Sequence, residues 1–230
     1  MNAWWAIIAT ALGCYVAGAV PFGFLVGRAR GIDIRTAGSG NIGATNVGRL
    51  LGRKWGILVF ALDVAKGLVP TLLAGMVVDR CVAAGAWSLM VGNALWLACG
   101  VCCILGHNYP VFLKFKGGKG VATSLGVVLG VYPYMTLAGA LAFAVWAVVT
   151  LTSRYVSLGS ICAAAALPVL LAACTLSRGR AEFAAHLPLL AFAILLSGLV
   201  IYRHRGNLAR LRAGTENRIG ARPSAGGSGS

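Results

Sequence analysis

Apolar residues gather along this chain into seven runs, at 3–27, 56–78, 86–106, 120–133, 135–152, 156–176 and 187–202. A helix crossing a bilayer needs about 20 apolar residues to cover ~30 Å of hydrocarbon. The pattern therefore predicts an all-α integral membrane protein. The run at 120–133 is short, and suits either a tilted span or a half-helix lining a cavity. The first run shows no evident cleavage site and reads as a retained span.

The polar segments between the runs differ in charge. Residues 28–55 contain Arg28, Arg30, Arg35, Arg49, Arg53 and Lys54. Residues 107–119 contain Lys114, Lys116 and Lys119. The tail after 202 contains Arg203, Arg205, Arg210, Arg212, Arg218 and Arg222. The segments 79–84 and 177–186 each hold an acid that partly offsets their arginines. Lys and Arg collect on the cytoplasmic side of membrane proteins, which predicts an outside N-terminus and a cytoplasmic C-terminus. Seven transmembrane helices satisfy this rule. Omitting 120–133 would put either the lysine segment or the basic tail outside. The three basic segments then share one side and can build one site.

Composition agrees. Hydrophobic residues make up 59% of the chain and charged ones 11%, against roughly 25% charged in soluble domains. Six or seven spans fill 230 residues and leave no room for a large soluble domain. We expect one membrane domain at 1–222 and a disordered Gly/Ser-rich tail at 223–230. The net charge of +15 is read as topology and attraction to the lipid bilayer, not as nucleic-acid binding. The seven cysteines, Cys14, Cys81, Cys99, Cys102, Cys103, Cys162 and Cys174, fall mostly within apolar runs and read as small core residues.

Three motifs depart from a purely topological reading. The first is Gly38-Ser39-Gly40-Asn41-Ile42-Gly43-Ala44-Thr45-Asn46-Val47-Gly48-Arg49. It offers hydroxyls, amides, glycine N–H groups and a guanidinium, all donors suited to phosphate or an acyl carbonyl. Ser39 lacks a nucleophile elbow, because Ala37 stands where the first glycine belongs. The second motif begins at Gly106-His107-Asn108 and reaches Gly117-Gly118-Lys119-Gly120-Val121-Ala122-Thr123. Converging glycine N–H groups, a lysine and a helix N-terminus make a phosphate cradle. It is no Walker A loop, since Gly120 follows Lys119 where a magnesium-ligating Ser or Thr would stand. With five acids in the chain, phosphate is expected to be held by cations and N–H groups, with no metal and no cofactor.

The third motif is Arg203-His204-Arg205-Gly206-Asn207-Leu208-Ala209-Arg210, ending at Gly214-Thr215-Glu216. If helical, it sets His204, Asn207 and Leu208 on one face. His204 there is a general-base candidate and Asn207 a group to polarise a carbonyl; a basic helix lying on anionic lipid fits equally well. Asp63 and Lys66, at i and i+3 within the second run, read as a structural ion pair, because lone charges are costly in hydrocarbon.

Together the three motifs resemble the bacterial acyl-phosphate:glycerol-3-phosphate acyltransferases, the PlsY family. The likeness rests on Ser39 to Asn46 with Arg49; on Gly106-His107, Pro110, Phe115 and 117–123; and on Arg203-His204, Asn207, Arg210-Leu211, Gly214 and Glu216. It extends to about residue 220. Leu208 stands where the family often has Ile. The resemblance implies seven helices in the bacterial cytoplasmic (inner) membrane, with the active site on the cytoplasmic side. It implies transfer of a fatty acyl group from acyl-phosphate to the 1-hydroxyl of glycerol 3-phosphate, giving lysophosphatidic acid and phosphate, with no obligate protein partner. It further implies that His204, Asn207 and Ser39 act at the reacting centre. Substrate binding would fall to Gly40, Asn41, Thr45, Asn46, Arg49, His107, Gly117, Gly118, Lys119, Gly120, Thr123 and Arg203, and structural support to Glu216.

Rival readings fare worse. The H-x4-D motif of acyl-CoA-type acyltransferases is absent, since Phe112, Ala191 and Ala209 stand five residues after His107, His186 and His204. The alternative from another class is a transporter or exchanger of a phosphorylated metabolite, to which the short 120–133 run would lend a broken helix. No inverted repeat is evident, and the polar motifs all face one side.

Overall fold

The computed structural model describes residues 2–219, and these are all helical or irregular. The helices are α1 (Ala3–Ala19), α2 (Phe22–Ala29), α3 (Ala44–Leu51), α4 (Arg53–Ala83), α5 (Leu89–Asn108), α6 (Val121–Gly130), α7 (Thr136–Ser153), α8 (Val156–Leu176), α9 (Arg180–Ala185), α10 (Leu187–Arg203) and α11 (Arg205–Arg212). The tail expected to be disordered at 223–230 lies outside the described residues.

Among the described residues, five segments are long and apolar enough to cross a membrane: Ala3–Ala29, Arg53–Ala83, Leu89–Leu113, Thr136–Ser153 and Val156–Leu176. A sixth forms if α10 and α11, bent by 56°, are taken as one. The fold is thus an all-helical integral membrane one, and it corrects several sequence expectations. The first run breaks after α1, where Pro21 offers no N–H to the helix. The segment at 79–84 is mostly the last turn of α4, which has 31 residues. Of the two readings of 120–133, the half-helix holds: α6 is 10 residues long, a rise of about 15 Å or half the hydrocarbon thickness, and Val121, Ser124 and Val128 line a cavity. The helix stops at Gly130, and irregular chain leads on to α7.

Close backbone contacts hold the bundle together, as expected where lipid removes the hydrophobic drive between helices. In the α4–α6 pair, a Cβ on Gly126 would stand 2.1 Å from the Val64 carbonyl oxygen, and one on Gly67 2.3 Å from that of Thr123. Pro168 within α8 cannot donate to the Ala164 carbonyl, and Ser197 of α10 donates to it instead at 2.5 Å. A separate core of Ile34, Ile42, Val47, Val59 and Leu113 seats the first polar segment on α4. That core fixes the first motif relative to the second.

Candidate active site

The first motif folds around Asn46, which is 1% exposed. Its Nδ2 donates to the carbonyls of Ile34 (3.0 Å) and Ala37 (3.2 Å), and its Oδ1 accepts from the Ser39 N–H at 2.9 Å. Asn41 Oδ1 accepts from the Gly43 N–H at 2.8 Å. The segment then enters α3, whose N-cap Gly43 supplies no side-chain cap, so the first N–H groups of the helix keep their capacity for a ligand. Ser39, Gly40 and Thr45 are exposed, as is Arg49, whose guanidinium reaches Asn46 Oδ1 at 3.5 Å.

The second motif is a tight turn laid over the end of α5. The Gly118 N–H donates to the His107 carbonyl at 3.1 Å. Gly117 and Gly118 are required by contact, since a Cβ on either would stand 2.2 Å from the His107 carbonyl oxygen or 2.1 Å from its Nε2. Gly120 has φ +81 and N-caps α6 without a side-chain bond. His107 is 5% exposed and Thr123 fully buried, so both face inward from the turn. Asn108, also fully buried, packs under Gly120 with its carboxamide unpaired.

The third motif bends. α10 ends at Arg203, α11 begins at Arg205, and His204 is the corner. His204, Asn207 and Leu208 therefore do not share a continuous helix as expected. Nothing in the sequence marks this break, which has neither Gly nor Pro at its corner. The His204 Nδ1 lies 2.8 Å from the Val200 carbonyl. A carbonyl only accepts, so Nδ1 carries the proton and Nε2 keeps a free lone pair. Arg203 stacks over Tyr109 at 5.3 Å and donates to the Gly118 carbonyl at 2.5 Å.

Lys119 donates to Asn207 Oδ1 and so joins the second and third motifs. Asn207 Nδ2 donates to Glu216 Oε1 at 2.7 Å. Glu216 also accepts from Ser157 (2.9 Å) and from Arg210 (2.8 Å). Ser157 opens α8, and as a lone serine beside an apolar run it carried no motif signal. Burial would raise the Glu216 carboxyl, but hydrogen bonds from Asn207, Ser157 and Arg210 outweigh it and hold the group below the usual range. Burial brings Lys119 down to about 8; the charges of Arg210, Arg203 and Arg49 push the same way, and Glu216 opposes them. The Arg49 charge of the first motif is thus felt at Lys119.

An apolar cleft opens beside this cluster, lined by Phe60, Val121, Ser124, Trp146, Leu196 and Val200 among others. Phe60, Phe143 and Trp146 stack along it, with centroids 5.4–6.1 Å apart. Val121 follows the Gly117–Gly120 turn, and the Val200 carbonyl holds His204. One end of the cleft therefore meets a ring of cations. Among the described residues, no group of three or more His, Cys, Asp or Glu side chains converges to hold a metal.

A profile of the glycerol-3-phosphate acyltransferase family matches residues 8–214. The glycerol-3-phosphate acyltransferase of Geobacter sulfurreducens is 48% identical over 94% of this chain and 98% of its own. That of Geotalea daltonii is 44% identical over 90% and 94%. Among solved structures, PlsY, an integral membrane glycerol 3-phosphate acyltransferase, superposes in its glycerol 3-phosphate form with a TM-score of 0.77. It is 40% identical and covers 94% of this chain and 96% of that one. Its lysophosphatidic acid form gives 0.75 at 39% identity, with the same coverage.

Proposed function

This chain belongs to the glycerol-3-phosphate acyltransferase family, and on that premise we propose how it transfers a fatty acyl group from acyl-phosphate to the 1-hydroxyl of glycerol 3-phosphate. The products are lysophosphatidic acid and phosphate. The observation that carries the mechanism is the junction of the cation ring with the apolar cleft, where Lys119, Val121, Val200 and His204 adjoin. The acyl chain lies in the cleft, and its carbonyl sits at that junction. Lys119, the free N–H groups opening α6 and Arg203 hold the phosphate of glycerol 3-phosphate. Ser39, Gly40, Asn41, Thr45 and Arg49 hold the phosphate of the donor. Asn46 and His107 brace the two loops from below.

Acyl-phosphate is a mixed anhydride, so no covalent enzyme nucleophile is needed. The acceptor hydroxyl attacks the acyl carbon, the new C–O ester bond forms, and the bond to phosphate breaks. His204 Nε2 and the departing phosphate are the two bases within reach of the hydroxyl proton. Bringing two anions together in one basic pocket accounts for much of the rate through orientation and charge neutralisation.

The same reading has seven crossings, an outside N-terminus and a cytoplasmic site in the bacterial inner membrane. Contacts at the two ends of α10 support it. Arg203 bonds Gly118 at one end, and the His186 ring lies 5.4 Å from that of Tyr134 at the other. Residues 118–134 thus run the length of α10, although only ten of them are helical. The Ile219 N–H donates to Arg154 at 2.8 Å, which sets the α7–α8 turn on the side of the basic tail.

Purified protein incubated with palmitoyl-phosphate and glycerol 3-phosphate should release phosphate and form lysophosphatidic acid. Palmitoyl-CoA should not replace the donor. Equal turnover with palmitoyl-CoA would refute the acyl-phosphate assignment.

A further inference from the structure

Beneath the site, α4 carries an ion pair that the proposed chemistry does not use. Asp63 is 2% exposed and Lys66 6%, and Lys66 Nζ stands 2.7 Å from Asp63 Oδ1. A buried pair is weak evidence for stability, because well-packed apolar residues of similar volume often serve as well or better. In a membrane span the cost of charge is higher still. The neighbours of this pair suggest what it does. Lys66 Nζ donates to the Val20 carbonyl at 2.8 Å, at the break between α1 and α2. α2 in turn supports the first motif, where a Cβ on Gly23 would stand 1.9 Å from the Ile42 carbonyl oxygen. On the other side, Asp63 Oδ1 faces His107 Nδ1 across 3.8 Å. The His107 Nδ1 has no hydrogen-bonding partner, and the Asp63 oxygen it faces is the one paired with Lys66. The opposite edge of that imidazole carries Gly118, and the His107 carbonyl accepts the Gly118 N–H.

We propose that Asp63 and Lys66 are positioning residues that set the two phosphate-binding loops relative to each other, Asp63 through His107 to the turn at Gly118 and Lys66 through Val20 to the loop at Ile42. One rigid pair on one helix then references both loops. That is what a reaction between two bound anions needs, since a displacement of 1 Å costs about a hundredfold in rate. Charge at this depth is retained for direction, which leucine and methionine cannot supply. The inference rests on the proposed assignment of the two loops to the two phosphates only for its kinetic consequence; its structural consequence stands without it.

The experiment uses the full chain in detergent or nanodiscs, as wild type, Asp63→Asn and the apolar double variant Asp63→Leu/Lys66→Met. Hydrogen–deuterium exchange should rise several-fold in peptides covering 36–46 and 112–120, with little change in α7, α8 and α10. The thermal midpoint of the double variant should stay near that of wild type. Glycerol 3-phosphate binding, read by calorimetry, should weaken at least tenfold in both variants. If the double variant does not fold, Asp63→Asn carries the test, because it preserves side-chain size. Unchanged local exchange together with wild-type binding in Asp63→Asn would overturn the proposal. So would exchange that rises uniformly through the bundle, which marks a merely structural pair. Locally raised exchange in a protein whose wild type binds no glycerol 3-phosphate would uphold the positioning role and sink the functional reading alone.

Discussion

Lys119 and Asn207 are 88 positions apart in the chain, and the lysine ammonium donates to the asparagine Oδ1. Asn207 has its Nδ2 committed to Glu216, so its carbonyl oxygen is turned toward Lys119 and cannot flip without losing a bond. Lys119 is therefore held in place between the turn that carries it and the helix after His204. A cation fixed before substrate arrives loses little entropy on binding.

Lys119→Met keeps most of the length and removes the charge. One charge-assisted contact is worth roughly 1.5–3 kcal/mol, so kcat/KM for glycerol 3-phosphate should fall at least tenfold. Asn207→Asp should be worse than Asn207→Ala, because a second carboxylate beside Glu216 would face the incoming phosphate. Steady-state kinetics on folded protein check both, and unchanged acceptor kinetics in Lys119→Met would remove it from the phosphate cradle.

Lys119 titrates at about 8 in the free protein, and only its protonated form is a phosphate anchor. Below that pH the anchor is present; above it the charge is lost. KM for glycerol 3-phosphate should therefore climb between pH 7 and pH 9, a range in which the phosphate has already passed its second pKa of about 6. In Lys119→Met this limb should vanish. The same rise in the variant would assign the titration to another group.

Glu216 gathers donors from α8 through Ser157 and from α11 through Asn207 and Arg210. Its carboxyl is held below the ordinary 4.5. The stability it contributes is therefore present above that value and lost as pH falls through the lowered one. Glu216→Gln should lower the thermal midpoint at pH 7, and the gap from wild type should close in acid. Equal midpoints at pH 7 would show that Glu216 does not brace the site.

The seven-crossing topology is tested by single cysteines in a cysteine-free background. A cysteine at position 114 should be shielded from an impermeant thiol reagent applied outside, and one at position 134 should be reached. Labelling at 114 from outside would contradict the cytoplasmic site.

Much of this was legible in the sequence, for identifiable reasons. Apolar periods and loop charge located the long helices, because bilayer thickness and the positive-inside rule act on composition alone. The Gly117–Gly118–Lys119–Gly120 turn was legible because few other residue sets fit so close an approach of backbone to His107. The bend at His204 was not, since no Gly or Pro marks it. The shortness of the run at 120–133 was legible, but the end of α6 at Gly130 was not, because Val131 continues the apolar run. Ser157 and the Lys119–Asn207 contact depend on tertiary packing, which no local spacing encodes. Asp63 and Lys66 were visible as an ion pair, but their reach to His107 and Val20 appears only when α1, α4 and α5 are brought together.

The central claim is that both anions occupy one site at once and that the hydroxyl attacks the acyl carbon directly. Ser39 has no nucleophile elbow, and Cys14, Cys99 and Cys103 are buried within the bundle, so neither that hydroxyl nor these thiols are set up to take the acyl group. The most direct measurement is the initial rate across a range of glycerol 3-phosphate concentrations at several fixed concentrations of palmitoyl-phosphate. The account predicts double-reciprocal lines that intersect, as a ternary complex requires. Parallel lines, accompanied by an acyl mass addition on Ser39 or His204 that forms and discharges at the catalytic rate, would contradict it.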